Sequence, residues 1–117
     1  MPGIIMYGLP TDTSQAVLEQ IMAEVAKLGP EIVGCPEDWM TTFFPDDLYK
    51  GGRSVIWIRF ETGIFETKPL KEAERIAKEM CEALTPKIHA LLDWVGKVEA
   101  FPLALPLHLH SIYPHDN

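Results

Sequence analysis

This 117-residue chain has no apolar run long enough to span a bilayer, and its start carries no basic segment followed by a secretory apolar stretch. A cytoplasmic protein with no membrane partner is the expectation. Positive charge is also scarce: ten Lys and Arg stand against seventeen Asp and Glu, a formal net charge of −7. No broad cationic face can be assembled from that ratio, which argues against nucleic acid or an anionic membrane as a partner and means that a small anionic ligand would need a local cation. Cysteine is limited to two positions, too few for a disulfide framework. Cys35 lies in a Gly34-Cys35-Pro36 turn and Cys81 between the acids Glu79 and Glu82, so both read as separate packed thiols rather than nucleophiles. There is no nucleotide-binding glycine loop, no Ser-His-Asp arrangement and no zinc-ribbon spacing, so no cofactor is implied. His108 and His110 share one side if the terminal segment is a strand, and His115 is a third imidazole nearby. The simpler reading is exposed histidines with Leu107 and Leu109 turned inward and no metal site.

What is present is a hydrophobic fraction of 47% in a length that suits one domain, residues 1–117, with halves of about 1–50 and 51–117. Gly3 to Leu9 is a short β-favouring run, and Pro10 to Thr13 supply a turn. Val17, Leu18, Ile21, Met22, Val25 and Leu28 follow helical spacing from Ser14 until Gly29-Pro30. The aromatic and β-branched run from Trp39 to Phe44 predicts a second strand. Leu48 to Arg53, with Gly51-Gly52, predicts a turn before the third strand, Ser54 to Glu61. Leu70, Ala73, Ile76, Ala77, Met80 and Leu84 mark a second helix, with a stop near Thr85-Pro86 and a further short helical segment through Ile88, Leu91, Leu92 and Val95. Val98 to Leu109 is strand-like but carries Pro102 and Pro106, the mark of an edge or bulged strand.

The order is therefore a duplicated β-α-β. That predicts an α/β fold of the two-layer α+β kind, a four-stranded mixed sheet with both helices on one face. The third strand is apolar on both sides, with Ile56, Ile58 and Phe60 on one and Val55 and Trp57 on the other. One helical layer covers only one of them, so the second face is expected to pack against further copies in a homo-oligomer, unless the terminal segment folds beneath it.

Pro2 is the candidate catalytic residue, although a Met-Pro start also occurs with no chemical role. Initiator Met is normally trimmed before proline, which would leave Pro2 with a free secondary amine, and an apolar setting would poise that amine as a base near neutral pH. Met1-Pro2-Gly3-Ile4 opening the first strand of a duplicated β-α-β resembles the tautomerase superfamily, which includes 4-oxalocrotonate tautomerase and macrophage migration inhibitory factor. With the Gly34 to Thr41 turn and strand, and with Ser54 to Phe60 followed by an acidic helix, the resemblance is to an uncharacterised branch of it. It implies a homotrimer with a central barrel and active sites at subunit boundaries. It further implies Pro2 as the general base in tautomerisation of a small keto or enol acid. The family's dicarboxylate enzymes hold arginines where this chain has Asp12 and Thr41, so a dicarboxylate substrate is not expected.

Of the arginines that remain, Arg75 lies among acids on a helix and reads as a solvated residue, and Arg53 follows the Gly51-Gly52 turn. Arg59 shares the side of Val55 and Trp57, where a buried cation needs a partner: it is either an interface ion pair, with Glu61 or a neighbour, or an anchor for a substrate carboxylate or enolate. Ile64, by its place in the resemblance, is a candidate wall of the Pro2 pocket, and Thr41, Trp39 and Trp57 are further candidates that core packing would equally explain. Two other readings stand beside the enzyme. One is a catalytically inactive oligomer of the same fold serving as a ligand- or protein-binding module, and the other is a ferredoxin-like sensor domain.

Overall fold

A computed structural model describes residues 2–46, 54–92 and 96–114, apart from the side chains of Ile64 and Leu107. Met1, the Leu48 to Arg53 turn with Gly51 and Gly52, Val95 and His115 lie outside the described residues.

The strands are β1 (Gly3–Tyr7), β2 (Thr41–Phe43), β3 (Val55–Thr62) and β4 (Lys97–Ala104), and the helices are α1 (Gln15–Leu28) and α2 (Leu70–Leu92). They form the expected mixed four-stranded sheet in the order β2-β1-β3-β4. β1 pairs parallel with β2 and antiparallel with β3, and β3 pairs parallel with β4. The two β-α-β units thus meet through their first strands. Alternation along those strands decides the core. Ile4 and Met6 of β1 and Ile56, Ile58 and Phe60 of β3 are fully buried, in one cluster with Ile21 and Val25 of α1 and Ile76, Met80, Leu84 and Ile88 of α2. Each such side chain contributes on the order of 1.5–3 kcal/mol by leaving water.

α1 starts where Ser14 caps it, its Oγ accepting from the Val17 N–H at 3.2 Å. It ends at Leu28 with Gly29 as its C-cap, as Gly29-Pro30 predicts. Gly29 has an ordinary helical φ of −56°, and the chain continues through one wide π turn, Gly29–Val33, to Gly34, whose φ of 86° makes the left-handed stop. Gly29 is also required for space: a Cβ there would stand 2.9 Å from Met40 Cγ and 3.2 Å from Cys35 Sγ.

Three expectations are corrected. The second strand begins at Thr41, because Glu37–Trp39 forms a 3-10 turn that leaves Trp39 47% exposed. The second helix does not stop at Pro86. It runs to Leu92 as one piece, since its apolar stripe continues in step from Ala73 through Ile76, Met80 and Leu84 to Ile88, and that packing outweighs the backbone hydrogen bond proline cannot make. The preceding Thr85 hydroxyl donates to the Cys81 carbonyl. Finally, the terminal strand ends at Ala104 rather than Leu109. Leu107–Leu109 is a 3-10 turn in which Leu109 is exposed instead of turned inward. β4 is an edge strand, as its prolines imply, and its register with β3 is unbroken through Pro102.

Candidate functional site

Pro2 is buried, and its carbonyl accepts from the Thr41 N–H at 3.3 Å, which ties the start of the chain to the start of β2. An open groove of about 320 Å³ lies against it on the sheet side that carries no helix. Pro2, Gly3 and Ile5 form its floor. Thr41 and Phe43 of β2 make one wall, and Glu61 of β3 with Leu105 makes the other. Register explains the assembly, because Gly3 stands between Thr41 and Glu61, and Ile5 between Phe43 and Arg59. Leu105 is held there by its N–H, which donates to the Thr62 carbonyl at 2.9 Å.

The lining is apolar except for the Thr41 hydroxyl and the Glu61 carboxylate, and among the described residues no cation lines it. Arg59 stands one strand alternation away and is engaged elsewhere. Its Nε donates to Glu61 Oε1 at 2.8 Å, its Nη2 reaches the same oxygen, and its Nη1 donates to the Tyr7 hydroxyl at 3.4 Å. The guanidinium carbon also lies 5.9 Å from the Tyr7 ring centroid. The bond to Glu61 pushes the Arg59 pKa above its already high usual value. Of its two expected roles, the structure places Arg59 in an ion pair, with a carboxylate of its own strand.

Of the sequence candidates, Pro2 and Thr41 are brought together and the tryptophans are not. Trp57 is paired with Tyr7, four residues along β1 from Gly3, which at the usual strand rise is about 13 Å away. Its indole N–H donates to Glu99 at 2.7 Å, and its ring meets Phe101 edge-on at 5.0 Å. Trp39 sits in the exposed turn before β2, outside the groove lining. Ile64 opens the 3-10 turn after β3, and its side chain lies outside the described residues; from that turn Phe65 packs edge-on against core Phe60 at 5.9 Å. Sequence reasoning missed Glu61, Phe43 and Leu105 as lining. The period-two alternation of β3 gave Glu61 its side, but its alignment with Gly3 depends on a register that no turn motif announces.

The other chemical groups are ordinary. Cys35 and Cys81 are free thiols, and burial pushes both pKa values up, away from thiolate character. Arg75 pairs with Glu72 and Glu79 on the exposed side of α2. His108 Nδ1 lies 3.1 Å from Glu66, and among the described residues no group of three or more His, Cys, Asp and Glu is arranged to hold a metal. No described helix is long and apolar enough to cross a membrane.

No family model matches the sequence, and no curated protein does. Solved structures do. A macrophage migration inhibitory factor-like protein from Entamoeba histolytica is similar over 95% of this chain and 92% of its own, at 13% identity and a TM-score of 0.67. A wild-type fused 4-OT described as an asymmetric trimer is similar over 97% of this chain and 94% of its own, at 13% identity and a TM-score of 0.74. A domain of unknown function, DUF1904, from Sebaldella termitidis is similar over 97% of this chain and 96% of its own, at 17% identity and a TM-score of 0.67. A four-stranded mixed sheet with two helices, matched to these structures over nearly its whole length, is the tautomerase/MIF-like fold.

Proposed function

We propose that this protein is a cofactor-independent tautomerase whose general base is the Pro2 amine, freed by removal of Met1. The observation that carries the reading is the burial of Pro2 against an apolar groove at the start of β1. A base there takes a proton from the carbon beside a carbonyl. The C–H electron pair becomes the enolate double bond, the carbonyl π pair moves to oxygen, and the proton is delivered to that oxygen or to another carbon. The reacting unit is that of a small keto or enol acid. Thr41 lines the same groove, and its hydroxyl is suited to donate to the developing enolate oxygen. Ile64, at the turn after β3, belongs to the proposal as a further wall. Arg59 acts through Glu61, and Trp57 and Trp39 are assigned to the sheet face and the turn instead.

A homotrimer is part of the proposal. Its support is the uncovered sheet face, with Trp57 and Phe101 at 48% and 40% exposure, and the trimeric assemblies of the fused 4-OT structures. So are a cytoplasmic location and a lack of nucleic-acid partners, the second supported by the net charge of −7. The inactive, ligand-binding oligomer is the second reading, favoured by the absence of any cation lining the groove among the described residues.

The test is α-deuterium incorporation in D2O into phenylpyruvate and its methyl ester, read by NMR. Pro2→Ala is expected to slow exchange by about 100-fold, the lower end of what a positioned base supplies. Equal rates for the two proteins would overturn the Pro2 reading.

A further inference from the structure

The charge of the groove bears on which carbonyl compounds it admits. Two polar side chains line it, the neutral donor Thr41 and the carboxylate Glu61. Both Arg59 nitrogens that reach Glu61 bond to one oxygen, Oε1, and Glu61 Oε2 takes no hydrogen bond from the described residues. Glu61 has a side-chain exposure of only 16%, so water screens it poorly. The cation beside it does not line the groove and is shared between Glu61 and the Tyr7 hydroxyl. A substrate carboxylate entering beside Pro2 would therefore meet the Glu61 carboxylate ahead of its Arg59 partner and, among the described residues, find no guanidinium lining the groove. A carbonyl oxygen finds the Thr41 hydroxyl, and an enol O–H finds the open Oε2.

We propose that, among the small keto and enol compounds such a site takes, the Pro2 groove favours uncharged ones with an apolar body over the corresponding carboxylates, with Glu61 as the residue that sets this preference. The proposal rests on the Pro2 groove as the reacting site and names its substrate class.

The experiment measures binding separately from turnover. Phenylpyruvate and methyl phenylpyruvate share one skeleton and differ by one charge, and each is titrated into the full chain while the amide shifts of Gly3, Ile5 and Thr41 are followed by NMR. The ester is expected to bind about tenfold more tightly than the acid, the scale of one poorly screened like-charge contact. Glu61→Gln should narrow that ratio to within about threefold, and Arg59→Met, which strips Glu61 of its counter-charge, should widen it. The wild-type ratio stands without any variant. Binding of the acid equal to or tighter than the ester, no binding of either probe at millimolar concentration, or a ratio unchanged in Glu61→Gln would overturn the proposal. Deuterium incorporation in the same samples reads Pro2 independently. Ester preference without Pro2-dependent exchange sinks the tautomerase reading alone, and Pro2-dependent exchange with the acid preferred sinks the selectivity alone.

Discussion

On the helix side of the sheet, Ile4, Met6, Ile56, Ile58 and Phe60 are closed to solvent, while on the other side their immediate neighbours Ile5, Tyr7, Trp57, Arg59 and Glu61 are all partly open. The same two strands supply both sets. The first set is finished by α1 and α2 within one chain, and its residues are uniformly apolar. The second mixes aromatics with an ion pair and a groove, a composition that a self-contained core would not tolerate and that an assembly surface or a site requires. Stability therefore resides on one face, and the proposed site lies on the other.

The comparison is broken most readily by truncation. Ile58→Ala, on the closed face, is expected to cost about 2–5 kcal/mol in urea unfolding, because it empties space that α1 and α2 cannot refill. Trp57→Ala, its neighbour on the open face, should cost a single chain less than about 1 kcal/mol. Similar losses for both would abolish the distinction. A charge on the open face gives the next effect. Phe101→Asp, placed opposite Arg59 in the register, is expected to reduce the light-scattering mass to that of one chain while circular dichroism keeps the helical signal. An unchanged assembly would mean that this face is not where copies meet.

The smallest effect lies on the outer side of the helices. Lys87 of α2, then Lys27, holds the Glu24 carboxyl below its ordinary range, with Lys87 Nζ 3.3 Å away. A depressed folded pKa gives stability that is present above the ordinary value of 4.5 and is lost as pH falls through the lowered one. Urea midpoints of wild type and Glu24→Gln should thus differ slightly at pH 7 and converge in acid. Because the pair is half-buried rather than enclosed, only a small difference is expected, and a large one at pH 7 would show that the helix layer depends on it.

Much of the closed face was legible in the sequence, because periods of two and 3.6 state which residues turn inward. The misreadings came where a local signal met a tertiary one. Pro86 breaks a helix in isolation, yet Ile88 keeps the stripe in step beyond it. Gly29-Pro30 does end α1, but the sequence did not show that the glycine also makes room for Met40 and Cys35 or that a π turn carries the chain on to a left-handed Gly34. The open face was less legible. Trp39 and Trp57 stood out by composition, whereas Glu61 and Leu105 reach the groove only through strand register and the turn beyond β4, which are relations between segments distant in sequence. Pro2 was visible because its chemistry depends on position in the chain rather than on neighbours in space.

The central claim is that a free proline amine stands at that groove. The direct measurement is an NMR titration of the native protein carrying 15N-proline. One proline nitrogen should show an amine shift that moves on protonation and responds to ligand in the groove. A set of proline signals that are all amide-like and indifferent to pH, as retention of Met1 would give, would contradict it.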